Sequence, residues 1–211
     1  MKLAAVVVTY YPDENVLSNI STYIDSVDLL IIWENTPLKD REAYRIEVPD
    51  KNKKKIFFMG ENSNKGLGYA YNRAIEYVRD KGYSHLMTMD QDSHFISFSG
   101  FIDKIVQETD KKVGLKVPLR NQEKVHDWDP PYELKWGIQS GCIFNIEMFD
   151  EIGGFNEDLF VDHTDVEIGL RARKYGYKCM CYSGCNMIHT MGSCRTESVG
   201  KFKFSDRKSV V

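Results

Sequence analysis

The chain has 211 residues, enough for one substantial core and too few for two full domains of ordinary size. Hydrophobic residues make up 42% and charged residues 28%, which excludes a disordered or fibrous chain. A formal charge of -3 excludes any general electrostatic pull toward nucleic acid, so polyanion binding has to be local. Five cysteines, all in the last third, do not make a disulfide framework and suit a reducing compartment. The N-terminal apolar run is too short for a signal peptide, and Thr9-Tyr10-Tyr11-Pro12 is no small-residue cleavage site. No window approaches the roughly 18 apolar residues of a membrane span. A cytoplasmic protein is expected.

Residues 3–8 form a continuous run rich in valine, as a strand buried on both faces reads. Asp13 is placed to cap a helix on which Val16, Ile20, Tyr23, Ile24 and Val27 recur at helical spacing. Residues 29–33 are a second apolar run, stopped by Pro37, so the chain opens as a βαβ unit of right-handed connection. Residues 38–55 are polar, with Lys53-Lys54-Lys55 at their end, and read as a solvated loop with a short helix. Residues 56–59 are a third short strand. Gly66 and Gly68 permit a tight turn into a helix carrying Ala70, Ala74, Tyr77 and Val78, which Gly82 closes. A glycine-containing loop opening a helix suits an anion, but it has neither dinucleotide-fold nor Walker spacing.

A fourth strand, residues 86–89, delivers Asp90-Gln91-Asp92. On an extended segment residues i and i+2 point the same way, so both carboxylates would face one ion or one phosphate-bearing ligand. At the carboxyl end of a parallel strand they would lie where open α/β sheets bind ligands. Beyond them a short helix around Phe101 and Ile105 and a strand over residues 113–117 are predicted. Residues 120–135 contain Pro130-Pro131 and read as a loop long enough to bind something. Residues 136–144 read as a strand and 147–152 as a short helix broken by Gly153-Gly154. Residues 165–175 read as a helix closed by Gly176, followed by apolar pieces at 179–182 and 187–189 and a polar tail. Strands alternating with helices predict one α/β domain over residues 1–195, with 196–211 as the tail. Cys179, Cys181, Cys185 and His189 offer four metal-type side chains, but not at the spacing of paired C-x₂-C knuckles. Cys179 and Cys181 fit a strand pointing two small apolar side chains one way.

Several pieces recur here in a recognisable order: Thr9-Tyr10, Glu34-Asn35, Asn64-Lys65-Gly66-Leu67-Gly68 with Asn72, and Asp90-Gln91-Asp92-Ser93. Gln139-Ser140-Gly141, Gly153-Gly154-Phe155, Phe160-Val161-Asp162-His163-Thr164-Asp165 and His189-Thr190-Met191-Gly192 follow. The set resembles the inverting nucleotide-sugar glycosyltransferases of family 2, and among them the bacterial rhamnosyltransferases. The resemblance implies the GT-A fold, with a Rossmann-like, mostly parallel central sheet flanked by helices. It implies transfer of a sugar, rhamnose from dTDP-rhamnose, from a nucleoside-diphosphate donor to a saccharide or lipid-linked saccharide acceptor in surface polysaccharide biosynthesis. Thr9, Tyr10 and Glu34 would line the nucleoside pocket, with Asn64, Gly66 and Asn72 beneath the nucleotide. Asp90 would be shared between ribose and metal, Asp92 and His189 would hold Mg²⁺ or Mn²⁺, and Asp165 would be the catalytic base. Ser140, Gly141 and Asp162 would face the acceptor and the transferred sugar.

Asp165 opens a helix whose dipole favours its ionised form, so a base there requires burial or a like-charged neighbour such as Asp162 or Glu167. Glu34 stands where the family usually has aspartate, and Thr164 where many relatives carry glutamate. Trp128 and Trp136 flank the long loop and could stack on sugar. Lys201, Lys203, Arg207 and Lys208 make the tail basic, which suits peripheral contact with an acidic membrane surface at its inner face. Two other readings stay open: an inactive nucleotide-sugar-binding module, and a sugar-nucleotide pyrophosphorylase. The latter needs a glycine-rich loop with arginine and lysine after the first strand, and Thr9-Tyr10-Tyr11-Pro12 offers none.

Overall fold

The computed structural model describes residues 1–120 and 131–189 in full, and the backbone of residues 194–199 and 202–207. In chain order the elements are β1 (Leu3–Thr9), α1 (Val16–Ser21), β2 (Leu29–Glu34), α2 (Leu38–Arg41), β3 (Ile56–Gly60), α3 (Gly66–Asp80), β4 (His85–Asp90) and β5 (Ser93–Phe95). Then come α4 (Ser99–Val106), β6 (Val113–Arg120), β7 (Tyr132–Leu134), β8 (Ile143–Asn145), α5 (Met148–Ile152), α6 (Thr164–Lys174) and β9 (Lys178–His189). A separate antiparallel hairpin, β10 (Cys194–Val199) and β11 (Phe202–Arg207), ends the described chain.

The main sheet runs β3-β2-β1-β4-β8-β6-β9-β5, with β7 also on β9. Its long strands pair in parallel, β1 with β2 and β4, β2 with β3, and β6 with β9. The three-residue strands β5, β7 and β8 supply the antiparallel contacts. This is the predicted mostly parallel α/β sheet.

Strand periodicity divides the core in two. Ala4, Val6, Val8, Ile31 and Trp33 face one way and pack under α3, α5 and α6. Leu3, Ala5, Val7, Leu30 and Ile32 face the other way and pack under α1 and α4. Every residue of β1 is buried, which explains its unbroken apolar run. Helix α3 buries Leu67, Ala70, Tyr71, Ala74, Ile75 and Val78, a stripe at three- and four-residue spacing. The larger of these contribute about 1.5–3 kcal/mol each by leaving water. Gly82, at φ +69°, ends the helix, and the Tyr83 N–H returns to the Val78 carbonyl at 3.0 Å.

Five details differ from the sequence expectation. Asp13 does not cap α1; its carboxylate accepts the Asn15 N–H at 2.9 Å in a local turn. Residues 136–142 are not strand. Gly141, at φ +76°, turns the chain so that its N–H donates to the Thr88 carbonyl at 2.7 Å. The proline-containing loop holds β7, because Tyr132–Leu134 finds a free edge on β9. The two late apolar pieces are one 12-residue strand, β9, which passes through Gly184 at φ +97°. The tail carries a β-hairpin whose strands, Cys194–Val199 and Phe202–Arg207, are spaced by the two-residue Gly200-Lys201, a hairpin signal in sequence.

Candidate functional site

Strands β1, β2 and β4 end side by side, and their carboxyl ends carry Thr9, Glu34 and Asp90. Just beyond β4, β5 pairs with the end of β9, placing Ser93 opposite His189. One ligating atom from each of Asp90, Asp92 and His189 then falls within 4.8 Å of the others. His189 Nδ1 lies 2.7 Å from the Ser93 hydroxyl and 3.6 Å from an Asp90 oxygen. Burial raises both carboxyls above their ordinary range, and the neighbouring His189 opposes it. Two half-buried carboxylates and an imidazole converging on one point form a donor set that a divalent cation fits.

Gln91, between the two aspartates, lies with Asp92 in the turn that joins β4 to β5, not in the extended segment expected from sequence. Its side-chain amide grips the Tyr10 backbone at both ends, accepting the N–H at 2.9 Å and donating to the carbonyl at 3.1 Å. The Gln91 carbonyl accepts the Asn19 side chain at 2.9 Å. Gln91 therefore fixes the loop after β1 against the carboxylate loop. That role depends on Tyr10, 81 positions away, and has no local signal in the sequence.

The residues expected around the nucleotide divide. Thr9 is buried and donates its hydroxyl to the Trp33 carbonyl at 3.2 Å, so its side chain serves the sheet while Tyr10 remains half-exposed. Tyr11 adopts φ 44°, held by its N–H on the Thr36 hydroxyl at 2.8 Å and its own hydroxyl on Asp40 at 2.7 Å. Burial raises the Glu34 carboxyl, and Arg41, 3.8 Å away, opposes that. Glu34 opens onto a cavity of about 740 Å³ lined also by Arg41, Arg45, Val48, Ile56 and Phe58. Asn64 accepts the Gly66 N–H at 2.8 Å. Gly66, at φ +84°, lies so close to the 156–160 loop that a Cβ would sit 2.5 Å from the Phe160 carbonyl. This glycine is required by packing within the protein. Asn72 also turns inward: it accepts the Phe155 N–H at 2.7 Å, donates to the Phe155 carbonyl at 2.9 Å and reaches Glu157 at 2.7 Å. Both ends of its amide are engaged there, so the structure places it as a clamp on the Gly153-Gly154-Phe155 turn.

The segment crossing the end of β4 joins the two halves of the site. The Ser140 hydroxyl accepts the Asp90 N–H at 3.1 Å, and both Ser140 and Gln139 hydrogen-bond the Asp90 carboxylate. The backbone carbonyl of Gln139 accepts the Thr88 hydroxyl, and its side-chain oxygen accepts the Thr164 hydroxyl. Thr164 opens α6 and Asp165 follows it, so one buried glutamine ties the carboxylate loop to the helix carrying the expected base. Gly141 is confined by Met187 and Pro118, 2.5 and 2.8 Å from where a Cβ would lie.

Burial raises the Asp165 carboxyl, while the Val166 N–H, His163 and Arg120 favour its charged form. Neither expected like-charged neighbour is responsible. Asp162 is exposed, and Glu167 forms a two-point pair with Arg171 at 2.7 and 2.8 Å. Arg171 continues to the Ile152 and Gly154 carbonyls, so Glu167 anchors the turn that Asn72 clamps. A cavity of about 250 Å³ beside Ser140 is lined by Arg120, Tyr132, Leu134, Trp136 and Ile138. Trp136 stands at its rim, 38% exposed, and Trp128 lies outside the described residues.

Cys142, Cys179, Cys181 and Cys185 are buried, and burial pushes the thiols of Cys179 and Cys185 up to about 12. Among the described residues the one group of three metal-type side chains is Asp90, Asp92 and His189. The expected membrane-contacting side chains of the tail fall outside the described residues. No described helix is long and apolar enough to cross a membrane.

No family model matches the chain. Over 213 residues it is 27% identical to dTDP-rhamnosyl transferase RfbF of Shigella flexneri, covering 89% of this chain and 69% of that protein. A 76-residue stretch is 30% identical to O-antigen biosynthesis protein RfbC of Myxococcus xanthus, covering 36% of this chain and 5% of that protein. Among solved structures, the mannosyltransferase PcManGT of Pyrobaculum calidifontis, in complex with GDP-Man and Mn²⁺, superposes with a TM-score of 0.70 at 13% identity. GalNAc-T7 with UDP, GalNAc and Mn²⁺ superposes with a TM-score of 0.68 at 13% identity. Each covers 90% of this chain, which spans 57% and 44% of the two, and at that identity they establish the fold. The chain thus has the GT-A fold of these glycosyltransferases, and its sequence is similar to that of a rhamnosyl transferase.

Proposed function

We propose that the chain transfers a sugar, with inversion and with a divalent cation, from a nucleoside-diphosphate donor to a saccharide or lipid-linked saccharide acceptor. The donor we infer is dTDP-rhamnose, on the strength of the likeness to the Shigella protein, and the setting is surface polysaccharide biosynthesis. One observation carries the reading. The Asp90, Asp92 and His189 cluster and the partly buried Asp165 are two separate acid sites, joined through Gln139.

Asp92, Asp90 and His189 would hold Mg²⁺ or Mn²⁺, whose charge neutralises the departing diphosphate. Tyr10 and Glu34, at the ends of β1 and β2, flank the place for the nucleoside. Asp165 takes the proton of the acceptor hydroxyl as that oxygen bonds to the anomeric carbon. The bond from that carbon to the diphosphate oxygen breaks on the opposite face, so one displacement inverts the configuration. A carboxyl raised by burial is better matched to that proton transfer at neutral pH than a solvated aspartate. Ser140 and the cavity edged by Trp136 and Tyr132 form the acceptor side.

Measuring nucleoside diphosphate released from dTDP-rhamnose, UDP-sugars and GDP-sugars, with and without Mn²⁺, tests this. Release that depends on Mn²⁺ and is lost in Asp165→Asn supports it. Absence of nucleotide binding at every Mn²⁺ concentration sinks it.

A further inference from the structure

Tyr71 lies on the buried face of α3 and is 0% exposed, yet its hydroxyl has no hydrogen-bond partner among the described residues. A buried hydroxyl left without a partner is costly, and in a native protein it requires an explanation. Its ring packs on Phe155, 5.1 Å between centroids, in the core cluster that also holds Leu86 of β4 and Ile168 and Ala172 of α6. The side chain thus belongs to the core cluster into which the strand that carries Asp90 and the helix that carries Asp165 also pack. Burial, and then the negative charges of Asp90 and Asp165, push the hydroxyl well above its ordinary range. It is therefore a neutral donor within electrostatic reach of both carboxylates.

Those carboxylates are unequally supplied. Asp90 already has the Ser140 and Gln139 side chains, and His189 Nδ1 lies 3.6 Å away. The hydrogen bonds that hold Asp165 come from backbone N–H groups, that of Val166 at 2.8 Å. We propose that Tyr71 is a positioning residue for Asp165: in the substrate-loaded site the Asp165 carboxylate turns onto the buried Tyr71 hydroxyl, which fixes its orientation for proton transfer. The cost of the orphan hydroxyl in the free protein is then recovered when the site is loaded.

This rests on Asp165 acting as the base, and the test separates the two. Tyr71→Phe and Asp165→Asn are compared with the wild type on the donor that releases nucleotide fastest with Mn²⁺. Thermal unfolding of each free protein is recorded alongside. In Tyr71→Phe, kcat is expected to fall about tenfold, the value of one hydrogen bond to a charged group. The donor KM stays unchanged, and the unfolding midpoint is unchanged or raised, because an unpartnered hydroxyl has been removed. A midpoint that falls while kcat is kept would assign Tyr71 to packing alone and overturn the inference. So would a raised KM with kcat intact. If Asp165→Asn is inactive and Tyr71→Phe fully active, only the Tyr71 assignment falls. If Asp165→Asn turns over like the wild type, or the wild type releases nothing from any donor, the base assignment falls with it.

Discussion

The hydroxyl of Thr164 donates to the side-chain oxygen of Gln139, and both residues are buried. Through this contact the helix carrying Asp165 is registered against the strand carrying Asp90. The short hydroxyl fits between Gln139 and the Val161 carbonyl, which it reaches at 3.2 Å. Thr164→Val keeps the shape and removes the donor, leaving the Gln139 oxygen buried without it. We expect a loss of about 1–3 kcal/mol in urea unfolding. Sugar transfer should fall further than that loss explains, because Asp165 loses its register. Unchanged stability and unchanged turnover would show that the contact does not join the two acid sites.

The Asp92 carboxylate is the member of the cluster freest to serve a cation, since Asp90 is already engaged by Ser140 and Gln139. Calorimetric titration of Mn²⁺ in the presence of dTDP should give one site in the wild type. Asp92→Asn should weaken it at least about tenfold, by analogy with the loss of a supporting group at metal sites. The free Asp92→Asn protein should unfold no earlier than wild type, because a buried carboxylate with a raised pKa has been neutralised. Unchanged Mn²⁺ affinity would falsify the assignment of this cluster to a metal.

Asn72 belongs to a motif that the family resemblance places under the nucleotide, yet its amide spans the Phe155 backbone and Glu157. Gly154 is required by the same contact, since a Cβ there would lie 2.4 Å from the Asn72 side-chain oxygen. Asn72→Ala removes a donor and an acceptor from buried backbone groups, and we expect it to cost roughly 2–3 kcal/mol of stability. Nucleotide affinity, measured at a temperature where the variant is folded, should change less than twofold, roughly within 0.4 kcal/mol. A large loss of affinity with stability intact would return Asn72 to the nucleotide floor.

The parallel half of the sheet was legible because its signals are local. An unbroken valine-rich run can only be a strand buried on both faces, and the stripe on α3 with Gly82 behind it has one helical reading. The carboxylate pair could be placed at a strand end from the apolar run before it. What could not be read depends on partners distant in sequence. Residues 136–142 are as apolar as a strand, but the Gly141 N–H finds the Thr88 carbonyl and turns the chain across β4. The strand Tyr132–Leu134 exists only because β9 offers it an edge, and residues 178–189 join into one strand because Gly184 lets the chain pass Gly100. Likewise Gln139 was visible as part of a motif, but its junction role comes from contacts with Asp90, 49 positions back, and with Thr164, 25 ahead. Tyr71 looked like any core aromatic on a helix, and only the missing partner of its hydroxyl distinguishes it.

At the opposite end of β4 from the site, Lys116 and His85 share the sheet interior, with Lys116 Nζ 3.3 Å from His85 Nε2 and 3.2 Å from the Val113 carbonyl. Burial, and then the Lys116 charge, lower His85 from its ordinary 6.5 to about 4. Burial likewise lowers Lys116 from 10.5 to about 8, opposed by Cys142 and Glu108. In both cases the folded protein binds protons less readily than the unfolded chain. Between pH 4 and 6.5 the unfolded chain carries the His85 proton and the folded protein does not, so stability falls as pH drops through that window. Between pH 8 and 10.5 the same holds for Lys116, so its contribution rises with pH across that range. Urea unfolding as a function of pH should show both slopes. Lys116→Met should flatten the alkaline one and narrow the acidic one, because His85 loses the charge that disfavours its protonation. It should also be at least as stable as wild type at pH 7, since an aliphatic side chain replaces a buried ammonium group. An alkaline slope that persists in Lys116→Met would assign it to another group.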